Sequence, residues 1–273
     1  MQFIEANGAR IPGLGLGTMT LKETLCVEIV SSALKSGYRH VDTAANYGNE
    51  REVGEGLRAG GVKREDYFLT TKVWYTRIAA GDLERSAEES LEKFGVSCFD
   101  LFLIHWPNAT IPLADSIGAL NNVKRSGITK HIGVANFTIP MLEEAMHLTK
   151  EPLVTNQIEV HPFLDQTRLI AACRRHGLAI SAYCPLARGK IADNETLARI
   201  GTAHGKSASQ VSLRWLVQQD IIPIPRTSRQ ERLKENLAIF DFTLSKDEMA
   251  EIGRLTRPDS RVVNPAHAPL WDR

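Results

Sequence analysis

Apolar residues fall along this chain in a two-beat pattern. Short continuous runs bounded by turn residues alternate with longer segments whose apolar positions recur at helical spacing. The runs read as buried strands at 11–17, 38–41, 67–71, 99–104, 131–134, 153–158, 178–183 and 221–224. The spaced segments read as helices at 24–36, 50–58, 82–94, 113–125, 140–148, 167–176 and 208–219. Gly37 is placed to terminate the first of these. Strand–helix alternation predicts parallel pairing through crossover helices. Eight such units in about 250 residues predict an α/β fold, a closed (β/α)8 TIM barrel, with an open doubly wound sheet as the alternative. No linker, low-complexity tract or charge block divides the chain, so 1–273 reads as one domain. A proline-rich tail from Arg257 to Arg273 is expected to lie over its body, with Trp271 either stapling it down or lining a pocket.

Apolar residues at 43% and charged ones at 24% are ordinary for a globular protein with a sizeable core. A formal net charge of +1 implies no general attraction to nucleic acid or an anionic membrane, so a charged ligand must meet a local cluster. No apolar run approaches the roughly 20 residues that cross a bilayer. Residues 1–9 lack the apolar core of a signal peptide. The four cysteines, Cys26, Cys98, Cys173 and Cys184, have neither paired nor metal-ligand spacing. Buried free thiols in a reducing cytoplasm are expected, with no metal.

Barrel enzymes gather their chemistry at the C-terminal ends of the strands. The second expected strand ends at Asp42, with Tyr47 on the small-residue loop that follows. The third ends at Lys72 and the fourth at His105. Singly, each has a bland reading: a loop cap, a solvated strand end, a satisfied core histidine. Together, polar residues closing three consecutive apolar strands favour a site. A tyrosine near pKa 10 is a poor acid at neutral pH, and a neighbouring ammonium would lower that value. At about 4 Å and an effective dielectric near 20, one such pair is worth up to roughly 4 kcal/mol. Asp42 would keep a buried Lys72 charged, and His105 would orient a carbonyl.

No activated serine or cysteine is evident, so the attacking agent must come from elsewhere, and a second cluster suggests a nucleotide. The 11–18 stretch fails the dinucleotide fingerprint, because Thr18 stands where a glycine is needed, and a close-packed strand and turn are favoured. After the eighth strand, Ser228 with Glu231 reads as a capping box at a helix start. Arg226, Arg229 and Arg232 recur every three residues and would cluster on its first turn, an anion site suited to phosphate. A solvated basic helix face is the alternative.

These residues resemble the aldo-keto reductase family. Gly37–Glu50, Thr70–Lys72, Leu103–Pro107, Gly133–Phe137, Asn156–Glu159 and Ile224–Asn236 match its motifs in order, over about residues 5–273. The likeness is greatest to short bacterial members resembling 2,5-diketo-D-gluconate reductases. The resemblance implies a monomeric, cytoplasmic (β/α)8 barrel that binds NADPH (NADP+) and reduces small carbonyl substrates such as keto-sugar acids or dicarbonyls. It implies Tyr47 as general acid, tuned by Lys72 and Asp42, with His105 orienting the substrate. Asn136 and Gln157 would hold the carboxamide, Tyr183 would stack on the nicotinamide ring, and Gly17, Thr18 and Asp42 would also contact the cofactor. Pro185, Leu186 and Arg188 would lie along the pyrophosphate. Arg226, Thr227 and Arg232 would bind the 2′-phosphate, Glu235 and Asn236 would lie at the adenine, and Ser228 would also contact the cofactor. Met19, Trp74, Trp106 and Trp271 would line the substrate pocket. Arg226 stands where the family usually has lysine, and Ala135 where a serine helps hold the carboxamide. Missing long loops imply an open mouth. A non-catalytic NADPH-binding module and a Schiff-base lyase using Lys72 are the rival readings; an adjacent Asp42 raises the lysine pKa that a lyase needs depressed.

Overall fold

Eight parallel strands carry the structure, a computed structural model that describes residues 2–272. They are β3 (Leu16–Gly17), β4 (His40–Asp42), β5 (Phe68–Val73), β6 (Phe99–Ile104), β7 (Thr129–Ala135), β8 (Leu153–Glu159), β9 (Ala179–Tyr183) and β10 (Ile221–Pro223). Each pairs with its sequence neighbours in order. The ring closes where Gly17 bridges Arg226, with Gly15 N donating to Pro223 O at 3.0 Å and Gly17 N to Pro225 O at 3.0 Å. This is the expected (β/α)8 barrel.

An antiparallel hairpin, β1 (Phe3–Ala6) and β2 (Ala9–Pro12), precedes it. The single strand expected at 11–17 is therefore two. Gly13 N extends the hairpin ladder past Pro12 to Gln2 O at 2.8 Å, and the barrel strand begins only at Leu16. Ala6, Ala9 and Ile11 of the hairpin pack with Phe68, Leu101, Leu103, Val154, Ala179 and Ile222, plugging the barrel floor with an apolar cluster. Gly133 faces this interior. A Cβ there would meet Thr155 O at 2.8 Å and Leu103 Cδ2 at 2.9 Å, so only glycine leaves Leu103 its place.

The crossover helices are α1 (Glu23–Ser36), α2 (Glu50–Ala59), α3 (Asp82–Phe94), α4 (Leu113–Arg125), α5 (Ile139–Leu148), α6 (Thr167–Arg175), α7 (Glu195–His204), α8 (Ala208–Val217), α9 (Gln230–Leu237) and α10 (Lys246–Gly253). α1 stops at Gly37, whose φ of 111° lets its N–H bond Leu34 O. The main core lies between strands and helices, where Leu16, Ile29, Phe99, Ile104 and Ile180 are at most 1% exposed. α7 and α10 were not expected from the apolar pattern. Both are announced instead by polar caps, since Asn194 accepts from Leu197 N and Ser245 from Glu248 N.

Strand register explains how side chains of the barrel mouth meet. Asp42 pairs with Thr70, and Lys72 pairs with Leu103. Lys72 lies two residues beyond Thr70 and His105 two beyond Leu103. With a side-chain period of two, Asp42, Lys72 and His105 all face inward. The steps of two along successive strands follow the strand tilt of a barrel, which brings the three to a common rim.

Candidate active site

The rim opens into a cleft of about 690 Å3. On its floor Lys72 Nζ donates to Asp42 Oδ1 at 2.5 Å and to Thr43 O at 2.7 Å, with the lysine side chain fully buried. Gln157 Nε2 donates to the second oxygen, Asp42 Oδ2, at 2.8 Å. The buried carboxylate is thus satisfied on both sides. The small-residue turn after β4 brings Tyr47 back over the pair, its ring centroid 5.7 Å from Lys72 Nζ. His105 meets the Tyr47 ring edge-on at 5.7 Å and Trp74 at 5.2 Å.

Burial holds Lys72 below its ordinary pKa, with Asp42 opposing. His105 lies well below its ordinary value, first by burial and then by the charge of Lys72 and by His267, so at neutral pH it is an uncharged imidazole. The expectation that Lys72 acidifies Tyr47 is not met. Burial raises the phenol first, then the carboxylate of Asp42, then Cys184. The physical reason is that desolvation outweighs the charge of Lys72, which Asp42 and the Thr43 carbonyl already partly engage. Tyr47 therefore keeps its proton throughout the neutral range.

Asn136, held at a φ of 62°, donates through Nδ2 to His105 O at 2.9 Å and accepts from Tyr183 Oη at 2.7 Å. Gly17, Thr18, Met19, Trp74, Trp106, Pro185, Leu186, Arg188 and Arg226 line the cleft as expected.

A family model for the aldo/keto reductase family matches residues 13–257. The chain belongs to the aldo/keto reductase family. A methylglyoxal reductase of Escherichia coli O157:H7 is 37% identical over 265 residues, covering 96% of this chain and 99% of that one. A crystal structure described as a candidate 2,5-diketo-D-gluconic acid reductase B superposes at a TM-score of 0.98, with 47% identity, covering 100% of this chain and 98% of the other. A Bombyx mori aldo-keto reductase in complex with NADP matches at a TM-score of 0.88, with 33% identity over 96% and 95% of the two chains. The chain is therefore an oxidoreductase, and carbonyl reduction is the activity its relatives support.

Several expected positions in this aldo-keto reductase lie elsewhere. The Ser228–Glu231 capping box does not form. α9 begins after Arg229, whose N–H is taken by Thr227 Oγ1 at 3.0 Å. The three arginines consequently do not share a helical turn. Arg226 precedes α9 and reaches back across the barrel seam to Met19 O at 3.2 Å and Thr20 Oγ1 at 2.6 Å. Arg232 pairs with Glu235 Oε2 at 3.3 Å. Thr227, Ser228, Arg232, Glu235 and Asn236 are all outside the cleft lining.

Trp271 is outside it too. Its ring packs 6.0 Å from Trp106, under the Arg261 guanidinium at 3.7 Å, and its Nε1 donates to Asn264 Oδ1 at 2.9 Å. It staples the tail, which was one of its two expected roles. Of the cysteines, Cys26 and Cys173 are buried free thiols as expected, whereas Cys98 and Cys184 are partly exposed.

Asn46, Ser209, Val263, Pro265 and His267 line the cleft without having been singled out. The last three ride on the tail. A lone histidine between prolines was the only signal there, and its partners are distant in sequence.

Proposed function

We propose that this aldo-keto reductase reduces aldehydes and ketones with NADPH, and that Tyr47 gives the proton to the carbonyl oxygen. The observation that carries this reading is the buried Lys72–Asp42 pair beneath Tyr47, at a cleft shared with a neutral His105. When bound, the reduced nicotinamide supplies a hydride to the carbonyl carbon.

The donor set fits such a cofactor. With Gln157 Nε2 committed to Asp42, its carbonyl oxygen remains to accept from a carboxamide, and Asn136 stands beside it. Tyr183 offers a ring face. The exposed guanidiniums of Arg188 and Arg226 suit the pyrophosphate and the 2′-phosphate. Arg232, Thr227, Ser228, Glu235 and Asn236, beyond the cleft lining, would meet the far end of an extended cofactor.

Tyr47 holds its proton because burial disfavours the phenolate. A developing alkoxide is a stronger base than a phenolate and takes that proton. Lys72, kept by Asp42 as an ammonium, then stabilises the phenolate left behind. His105 is too weakly basic to be the acid at neutral pH and serves instead to orient the carbonyl. Trp74, Trp106 and Met19 form the apolar walls of the substrate pocket.

The names of the relatives support small dicarbonyls and keto-sugar acids as the substrate class. The test is NADPH oxidation by the purified protein with methylglyoxal and a keto-sugar acid, set beside Tyr47→Phe. Consumption by the wild type and its loss in the variant are expected. A wild type inert across a broad aldehyde and ketone panel overturns the reading.

A further inference from the structure

We infer that Asn49 is a positioning residue for the proton donor. Its buried amide sets the turn that carries Tyr47 at one height over Lys72. The same amide ties that turn to segment 18–21, which walls the cleft on the side where the cofactor would lie. This rests on Tyr47 being the acid of a carbonyl reductase.

Tyr47 ends a single helical turn of three residues, Ala45–Tyr47. The bonds from Tyr47 N to Ala44 O at 3.0 Å and from Gly48 N to Ala45 O at 3.3 Å stay within that turn and do not fasten it to the barrel. Its two ends do. At the first, Thr43 N donates to Thr70 O of β5 at 3.0 Å, and Thr43 O accepts from Lys72 Nζ at 2.7 Å. At the second, Asn49 is fully buried. It receives the Thr43 hydroxyl on Oδ1 at 3.2 Å, which closes the base of the turn. Its Nδ2 gives both protons away, to Thr18 O and to Leu21 O, each at 2.9 Å. Lys22, the next residue in that segment, donates to Tyr47 O.

Thr18, Met19 and Thr20 line the cleft, and Thr20 Oγ1 accepts from Arg226. One side chain therefore joins the acid's turn to the cofactor wall. Asn49 also stands at the N-cap of α2, where an asparagine ordinarily accepts from the first turn of its own helix. It makes no such bond. The helix start forgoes a cap that this residue type supplies, and the amide is spent across the turn instead. An amide whose acceptor and both donors are used in a dry site has one orientation, and the turn it closes has one height. Proton donation depends on that height, because a misplacement of about 1 Å costs on the order of 100-fold.

The test sets Asn49→Leu and Thr43→Val beside the wild type in NADPH-dependent reduction of methylglyoxal. Leucine keeps the branching of asparagine without its polar atoms, and valine removes one hydroxyl while leaving the Thr43 carbonyl on Lys72. Turnover should fall about 100-fold in Asn49→Leu and about fivefold in Thr43→Val. In both, the solvent deuterium isotope effect on kcat should rise above that of the wild type, because proton delivery from a displaced Tyr47 becomes the slow step. The NADPH dissociation constant, read from protein fluorescence, should rise in Asn49→Leu and hold in Thr43→Val, which keeps the bonds to Thr18 and Leu21. If the folded variants keep the isotope effect of the wild type, the inference is overturned and Asn49 only stabilises the fold. Should Asn49→Leu fail to fold, Thr43→Val decides by the same isotope effect. An unchanged NADPH constant in a folded Asn49→Leu overturns the tie to the cofactor wall. A wild type that oxidises no NADPH with methylglyoxal, or a Tyr47→Phe that still does, overturns the reading of Tyr47 as a reductase acid and this inference with it.

Discussion

Lys72 and Asp42 form an ion pair at 2.5 Å, closed to solvent, with side-chain exposures of 0% and 5%. Removing one member leaves the other charged and uncompensated. Lys72→Met should therefore cost about 3–5 kcal/mol in denaturant unfolding and abolish turnover. The double variant Lys72→Met/Asp42→Asn should recover most of the stability and none of the activity. Recovery of activity would refute a chemical role for the pair.

Tyr47→Phe removes the proton source and little else, because the ring keeps its packing against His105. Turnover should fall by about 10²–10⁴-fold with the melting temperature nearly unchanged. Retained turnover would assign the proton to another group.

Stability should fall on both sides of neutrality. His40, buried inside the barrel with Nε2 on Thr70 Oγ1 at 3.0 Å, is lowered by burial from 6.5 to about 4. Its stability contribution is present above pH 6.5 and is lost as pH falls toward 4, because the unfolded chain binds the proton first. The slope is up to about 1.4 kcal/mol per pH unit. Cys26 and Cys173 are raised by burial from 9.0 to about 12, so their contribution is present below pH 9 and is lost as pH rises toward 12. Unfolding free energies measured across pH should show both limbs, with the acid limb shallower in His40→Gln.

Glu159, fully buried, accepts the N–H groups of Val262 and Val263 and contacts His161 Nε2 at 3.0 Å. Glu159→Gln should weaken this hold on the tail by about 1.5–3 kcal/mol. Limited proteolysis between 257 and 272 should quicken, and KM for carbonyl substrates should rise. An unchanged cleavage rate would refute the latch.

Arg226 and Arg232 should separate in cofactor binding. Arg226 lines the cleft, whereas Arg232 is paired with Glu235. Arg226→Ala should raise KM for NADPH about 10- to 100-fold and leave that for NADH nearly unchanged, with a smaller effect from Arg232→Ala. Equal effects would mean that the segment before α9 rearranges around the cofactor.

Where sequence and structure agree, the reason is local. The runs at 99–104 and the spacing at 82–94 and 113–125 mark β6, α3 and α4 with the same limits. Periodicity of buried positions is written directly in such elements. Asp42, Lys72 and His105 were legible because each is a polar residue at or next to the end of an apolar strand. α7 and α10 were missed because their apolar positions are few and their starts are marked by caps. The expected gathering of three arginines on one helical turn does not form, because α9 is capped at Arg229, one residue beyond Ser228, and Arg226 lies outside the helix.

The order of strands, the parallel barrel and the three inward polar residues at its rim were determined by sequence alone, since burial period and strand ends are properties of neighbouring residues. Tertiary structure alone decided the protonated state of Tyr47, the engagement of Arg226 with Thr20, and the arrival of His267 beside Trp74 and Trp106. Those depend on desolvation and on contacts between residues far apart in the chain, which no local pattern encodes.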